Sequence, residues 1–197
     1  MSRIGVLVSG RGSNLAAILD ACAGGRIDGE VVVVASNKQC PALEIARAAG
    51  VPVVRVFSLA DHGNNLAQRD AAMADVLEAN EIDLVVTAGY DRISDEGFVA
   101  RFPGRIVNVH PSLLPAFGGS MHAIRQAFEA GVPQTGVTIH LIEPGTVDSG
   151  TILAQETVPI PAECSLEQLE ELVHQTEHRL LPTVIQRLIQ ESPVSSR

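Results

Sequence analysis

The chain has no tryptophan, only three cysteines, and no apolar run near the roughly 20 residues that cross a bilayer. Cys22, Cys40 and Cys164 are far apart, odd in number and not arranged as CxxC, which argues against a disulfide framework and a zinc ribbon. Positive charge is also scarce: 14 Lys plus Arg stand against 23 Asp plus Glu, a formal charge of -9. Proteins that hold nucleic-acid backbones regardless of sequence neutralise phosphates with Lys and Arg, so that class is excluded, and an anionic ligand needs a local pocket. After Met1-Ser2-Arg3 the first apolar segment covers only residues 4–8, too short for the h-region of a signal peptide. These absences lead us to expect a cytoplasmic protein in a reducing compartment, with no membrane and no nucleic-acid partner. Repeats, low-complexity segments and linkers are absent as well.

What is present is a hydrophobic share of 46% in 197 residues, ample for one domain with a real core. Short β-branched runs at 4–8, 30–36, 53–56 and 83–87 alternate with helical patterns at 15–23, 41–49 and 66–79. Pro41 opens the second helix and Gly50 stops it. Continuous apolar strands separated by helices require a parallel sheet covered on both faces. A further strand at 106–109, a loop at 111–119 and a helix near 122–130 precede two longer strands, 135–142 and 151–160, which a turn-rich connection at 143–150 could join as neighbours. A helix over 166–190 closes the chain, with Ser165 and Gln168 spaced as a capping box. The fold class is therefore α/β: an open, mostly parallel twisted sheet flanked by helices, Rossmann-like, with an antiparallel extension toward the C-terminus. We expect one domain over 1–191, divided into halves at 1–90 and 91–191, and a frayed tail at 192–197.

Three segments carry candidate chemistry. Ser9-Gly10-Arg11-Gly12-Ser13-Asn14 lies between a strand and a helix, where glycines permit close backbone approach and the helix start offers N–H groups to a phosphate. It is neither a Walker A loop nor a full GxGxxG, and an ordinary turn with Ser13 or Asn14 as N-cap is the plain alternative. Asn108-Val109-His110-Pro111-Ser112-Leu113-Leu114-Pro115 sits at a strand end, with Asn108 and His110 on one side by alternation. Those two could supply an amide donor and an imidazole, or His110 could be a structural histidine. Asp148, in the turn before Ser149-Gly150, would raise the pKa of His110 if brought beside it, and is otherwise a turn residue. His174, Glu177 and His178 share one predicted helix but do not form HExxH, and a metal is not required at them or at Asn108, His110 and Asp148.

Together these segments resemble the folate-dependent formyltransferases over nearly the whole chain. The similarity runs from Ile4-Gly5-Val6-Leu7-Val8-Ser9-Gly10 through Ser36-Asn37-Lys38, the Asn-x-His-Pro-Ser-Leu-Leu-Pro motif, Thr138-Ile139-His140 and Asp148-Ser149-Gly150 to Glu177-His178-Arg179-Leu180-Leu181-Pro182. The GxGSN loop and the Glu-His of the last helix point within that family to members acting in purine biosynthesis. The resemblance implies transfer of a formyl group from 10-formyltetrahydrofolate, a consumed cosubstrate, to the primary amine of glycinamide ribonucleotide, with no bound cofactor and no metal. It implies Asn108, His110 and Asp148 as the catalytic group, with Asp148 keeping His110 protonated. Gly12, Ser13, Asn14 and Glu177 would hold the nucleotide substrate, while Asp91, Arg92, Ile93, Ser94 and Asn108 would lie on the folate side. A monomer or a homodimer is expected.

The chain departs from the family pattern at three places. Asp91 and Ser94 stand where apolar residues are usual beside the folate pocket, which would change its polarity. His62-Gly63-Asn64-Asn65-Leu66 lacks a customary arginine, leaving Arg69 one turn later as a weaker candidate. Phe117-Gly118-Gly119-Ser120-Met121-His122 replaces a Pro-Gly pair and reads as a mobile flap. Three alternatives remain at this point: a paralogue acting on another phosphorylated amine, a hydrolase of formyltetrahydrofolate, and a phosphometabolite-binding domain without catalysis.

Overall fold

Valine-rich strands with no polar face must be covered on both sides, and in a computed structural model of the chain they are. The structure describes residues 1–92, 94–145 and 147–191; the expected tail at 192–197 and the candidate Ile93 lie outside these. In chain order the elements are β1 (Ser2–Val8), α1 (Ser13–Ala23), β2 (Gly29–Ser36), α2 (Pro41–Ala48), β3 (Val53–Val56), a 3-10 turn (Ala60–His62), α3 (Leu66–Ala79) and β4 (Leu84–Thr87). They continue with α4 (Glu96–Arg101), β5 (Ile106–His110), α5 (Ala123–Glu129), β6 (Gln134–Leu141), β7 (Ile152–Pro159) and α6 (Leu166–Glu191).

The strands form one seven-stranded sheet in the order β3-β2-β1-β4-β5-β6-β7. Pairing is parallel from β3 to β5 and antiparallel for β5-β6 and β6-β7, the antiparallel extension expected toward the C-terminus. One face of the sheet packs Ile4, Val6 and Val8 against α1, α2 and α6, and the other packs Leu7, Val85 and Ile106 against α3 and α4. Along β2 the register jumps from Ile4↔Val31 to Gly5↔Val33, so Val32 is an extra residue and both Val32 and Val33 belong to the second face.

The chain order reverses between β1 and β4, which places a crevice outside the carboxyl ends of these two strands, where open α/β sheets bind ligands. The segments 9–14 and 88–92 leave the sheet there, and β5 delivers Asn108 and His110 one strand further on.

Two elements escape the sequence reading. The 3-10 turn and α4 are three and six residues long, too short to show a helical period. Asp95 caps α4 by accepting from the Gly97 N–H at 2.8 Å. The capping box of α6 forms as expected, with Gln168 N–H donating to Ser165 Oγ at 3.2 Å and Ser165 N–H to Gln168 Oε1 at 2.8 Å. Ser165→Ala is expected to cost about 1 kcal/mol of stability. Denaturant melts check this; an unchanged midpoint would show that tertiary packing alone holds this helix end.

Candidate active site

At the crevice lies a cavity of about 1160 Å³, bordered by the 10–14 loop, residues 87–92, Asn108, His110, residues 119–125, Asp148 and one side of α6. One of its walls is built by strand pairing. β5 and β6 set Asn108 directly opposite His140, and the turn after β6 brings Asp148 back over both.

Asn108 is held in one orientation. Its Oδ1 accepts from Thr87 Oγ1 at 2.6 Å, so its amide nitrogen faces the cavity side, donating to His140 Nε2 at 3.0 Å and, at a longer 3.4 Å, to Asp148 Oδ1. The His140 ring is fixed in turn by its Nδ1 against the Leu141 carbonyl at 2.9 Å. Thr87 and His140 are site residues to which the sequence reading assigned no role. His140 stood there only as part of a family pattern, and its signal was the register of two strands that sequence alone does not supply.

His110 is buried and has an acceptor at each ring nitrogen: Asp148 Oδ2 lies 3.3 Å from Nδ1, and the Phe117 carbonyl 3.2 Å from Nε2. Burial pushes its pKa below the ordinary histidine value; Asp148 and the Phe117 carbonyl oppose that shift without cancelling it, and His140 adds to it. Asp148 therefore acts on His110 in the expected direction, but desolvation outweighs it, so the imidazole is harder to protonate than an ordinary histidine although an acceptor stands at each ring nitrogen.

Asp148 has φ 48°, a left-handed conformation that Asp tolerates better than most residues. The turn reading and the catalytic reading are thus compatible. Its carboxyl is held below the usual range, first by His140, whose Nε2 lies 3.5 Å from Oδ1, and, against the effect of burial, by the Gly119 N–H at 2.8 Å and by the attraction either neighbouring imidazole exerts when protonated. The 117–122 segment expected to be a flap is therefore tied down twice, to His110 through the Phe117 carbonyl and to Asp148 through the Gly119 N–H.

The opposite end of the cavity is the glycine-rich turn. Gly12, not Ser13 or Asn14, is the N-cap of α1, with φ 86° and no side-chain cap. A Cβ there would sit 2.7 Å from Ala42 Cβ, so glycine is required both by conformation and by the packing of α2. Ser13 and Asn14 line the cavity, and Asn14 Nδ2 donates to Glu177 Oε2 at 2.9 Å across to α6. His174 also faces the cavity and stacks on His178 with ring centroids 6.4 Å apart.

Burial pushes the Glu177 carboxyl up to about 7, although its bond from Asn14 pulls the other way. The raised value means the folded protein binds a proton here more tightly than the unfolded chain. Stability is therefore greatest below the ordinary carboxylate pKa of 4.5, falls as pH rises from there to about 7, and is then level. Glu177→Gln removes this loss and should add up to about 3 kcal/mol at pH 8 while changing little at pH 4. Thermal melts across pH decide it: a mutant-minus-parent difference that does not vary with pH would show that Glu177 is ionised throughout.

On the expected folate side, Arg92 and Ser94 line the cavity, with the Arg92 side chain half-exposed. Asp91 also borders it, but its carboxylate is turned away, accepting from Asn37 Nδ2 at 2.9 Å and from Lys38 Nζ. Arg69 does not reach the cavity wall. It is fully buried in α3, its Nε donating to Asp70 Oδ1 at 2.7 Å, and Asp70 Oδ2 in turn accepts from the Asp95 N–H at 2.7 Å. The missing arginine in the 62–66 segment is thus not replaced by Arg69; that stretch presents Asn64 and Leu66 instead.

A carboxylate, two imidazoles and an amide at one end of a crevice, with a helix start at the other, define an acyl-type transfer site on a doubly wound sheet. The formyl transferase family model matches residues 2–185, and the chain belongs to that family. Within the family it is similar to the phosphoribosylglycinamide formyltransferase of Mycobacterium tuberculosis, 45% identical over 187 residues covering 95% of this chain and 85% of that protein. It superposes on glycinamide ribonucleotide transformylase 1 from Symbiobacterium toebii with a TM-score of 0.92 at 43% identity, covering 100% and 92% of the two chains. For phosphoribosylglycinamide formyltransferase from Bacillus halodurans the TM-score is 0.93 at 35% identity, with 100% of both chains covered.

Proposed function

We propose that the protein transfers the formyl group of 10-formyltetrahydrofolate to the primary amine of glycinamide ribonucleotide. The observation that carries this reading is that Asn108, His110 and Asp148 share a cavity with the 10–14 turn and Glu177, so one ligand can span an anion site and an acyl-transfer centre. The phosphate is received by the N–H groups at the start of α1, where no side chain competes for them. The donor enters along residues 90–92.

The amine attacks the formyl carbon, forming a C–N bond and leaving negative charge on the former carbonyl oxygen. Asn108 donates its amide N–H to that oxygen, releasing the longer of its two contacts, the one to Asp148. The nitrogen that attacked carries a proton it must lose, and the folate nitrogen needs one before it can leave. Neutral His110, giving up its Nε2 contact with the Phe117 carbonyl, accepts the first through Nε2 and returns it to N10 as an imidazolium, whose charge Asp148 stabilises from the Nδ1 side. Collapse of the tetrahedral centre then expels tetrahydrofolate. Atoms and charge balance without a metal or a redox partner.

The test is to incubate the purified protein with 10-formyltetrahydrofolate, with and without glycinamide ribonucleotide and with a panel of other amines, and to follow loss of the formyl group. Turnover dependent on glycinamide ribonucleotide is expected. Release without an amine would make the protein a hydrolase, release only with another amine would make it a paralogue, and no release with any amine would leave a binding domain.

A further inference from the structure

The chain has a single lysine, Lys38, and the structure places it on the one carboxylate of the 89–94 segment. Asp91 is engaged three times: Lys38 Nζ donates to Oδ2, Asn37 Nδ2 donates to Oδ1 at 2.9 Å, and its own backbone N–H donates to Ser9 Oγ at 3.0 Å. Ser9 Oγ in turn donates to Asn37 Oδ1 at 2.7 Å, closing the network. Although partial burial pushes the Asp91 carboxyl up, the bonds from Lys38 and Asn37 hold it below the usual carboxylate range, so it is ionised at neutral pH.

The partners come from three different strand ends. Ser9 follows β1 directly and precedes the 10–14 turn; Asn37 and Lys38 follow β2 directly; Asp91 lies beyond β4. The network thus spans the point where the sheet reverses order, and it joins the two walls of the cavity. The far end of the same segment is anchored separately, by Asp70 accepting from the Asp95 N–H. Between the two anchors lie Arg92 and Ser94 on the cavity wall.

We propose that Lys38 and Asp91 are a positioning pair that holds the 89–92 wall against the start of the 10–14 turn, so that the folate-side pocket is preformed before the donor arrives. This rests on the function proposed above for its choice of donor, but not for the contact itself. Lys38 does not itself line the cavity, so it acts through Asp91. Neutralising it leaves the anionic Asp91 with Asn37 and, at 3.9 Å, with Arg92 on the cavity wall, so the carboxylate would turn toward the pocket it borders.

The experiment compares the full chain with Lys38→Met and Lys38→Arg by amide hydrogen exchange and by steady-state kinetics at two salt concentrations. Lys38→Met is expected to speed exchange in 89–95 about fivefold and to raise the KM for 10-formyltetrahydrofolate by about the same factor, the scale of one partly exposed ion pair. The kcat and the KM for glycinamide ribonucleotide should stay within about twofold, Lys38→Arg should restore both readouts, and added salt should shrink the difference between Met and parent. Exchange and donor KM unchanged in Lys38→Met would overturn the proposal, and so would faster exchange with an unchanged donor KM, which would reduce the pair to a structural contact. If the unsubstituted protein shows no turnover, the functional reading fails instead, and exchange alone decides: unchanged rates in 89–95 overturn the pair.

Discussion

Replacing His110 by alanine is expected to lower kcat by about 10²–10⁴-fold, the usual worth of a positioned group that moves a proton in the transition state. The fold should survive, because His110 closes the end of β5 rather than its centre and its two side-chain contacts, at 3.3 and 3.2 Å, are long. Asp148→Asn is the sharper version. Asparagine tolerates the left-handed backbone at this position and still accepts from Gly119, so the change removes charge with little change of shape. Its loss in kcat should be of the same order, about 10²–10⁴-fold, because the imidazolium formed in mid-reaction then has no carboxylate facing it. The direction of the pH effect separates this mechanism from one in which His110 is charged from the start. A resting neutral His110 makes activity fall as pH drops through its depressed pKa. Since Asp148 raises that pKa, Asp148→Asn should move the acidic limb to still lower pH while lowering the plateau. An acidic limb that stays in place, or full activity in either variant, would remove His110 and Asp148 from the chemistry.

Asn108→Ala should reduce kcat by about 10²–10³-fold, the effect of deleting one preorganised donor to an oxyanion, with a smaller effect on the KM for either substrate. The donor is worth this much because it is fixed before substrate arrives. Thr87 holds Asn108 Oδ1 at 2.6 Å, so no reorientation is needed when charge develops on the formyl oxygen. Single-turnover kinetics with the nucleotide saturating would measure it directly. A rate within about threefold of the parent would mean that the imidazole and backbone groups carry the oxyanion without the amide.

Sequence legibility differed between elements for identifiable reasons. The four consecutive valines of β2, the Pro41 start of α2 and the Ser165–Gln168 box all express local requirements, and each appears as read. Strand alternation placed Asn108 and His110 on one side, and both do border the cavity. Glycine was legible at position 12 as a need, but its role as N-cap, in place of Ser13 or Asn14, depends on α2 approaching through Ala42. The side-chain direction of Asp91 was not legible. It was expected to alter the polarity of the folate pocket, yet Asn37 and Lys38, more than fifty positions away, draw its carboxylate to the β2 end. Arg69 was misleading in the opposite way, since an arginine on a helix reads as a surface group until Asp70 is seen beside it in the core.

The sequence by itself determined the alternation of parallel strands and helices, the antiparallel extension and the set of residues able to do acyl-transfer chemistry. These follow from periodicity, capping and residue type, all of which act within a few positions of the chain. Tertiary structure alone decided which of those residues meet and in what protonation state. His140 reaches Asn108 through the register of β5 and β6, and Asp148 reaches His110 through a turn 38 residues later. The direction in which the His110 pKa moves is set by how much water the packed walls remove, a quantity summed over the whole site, and there burial prevails over the carboxylate beside it.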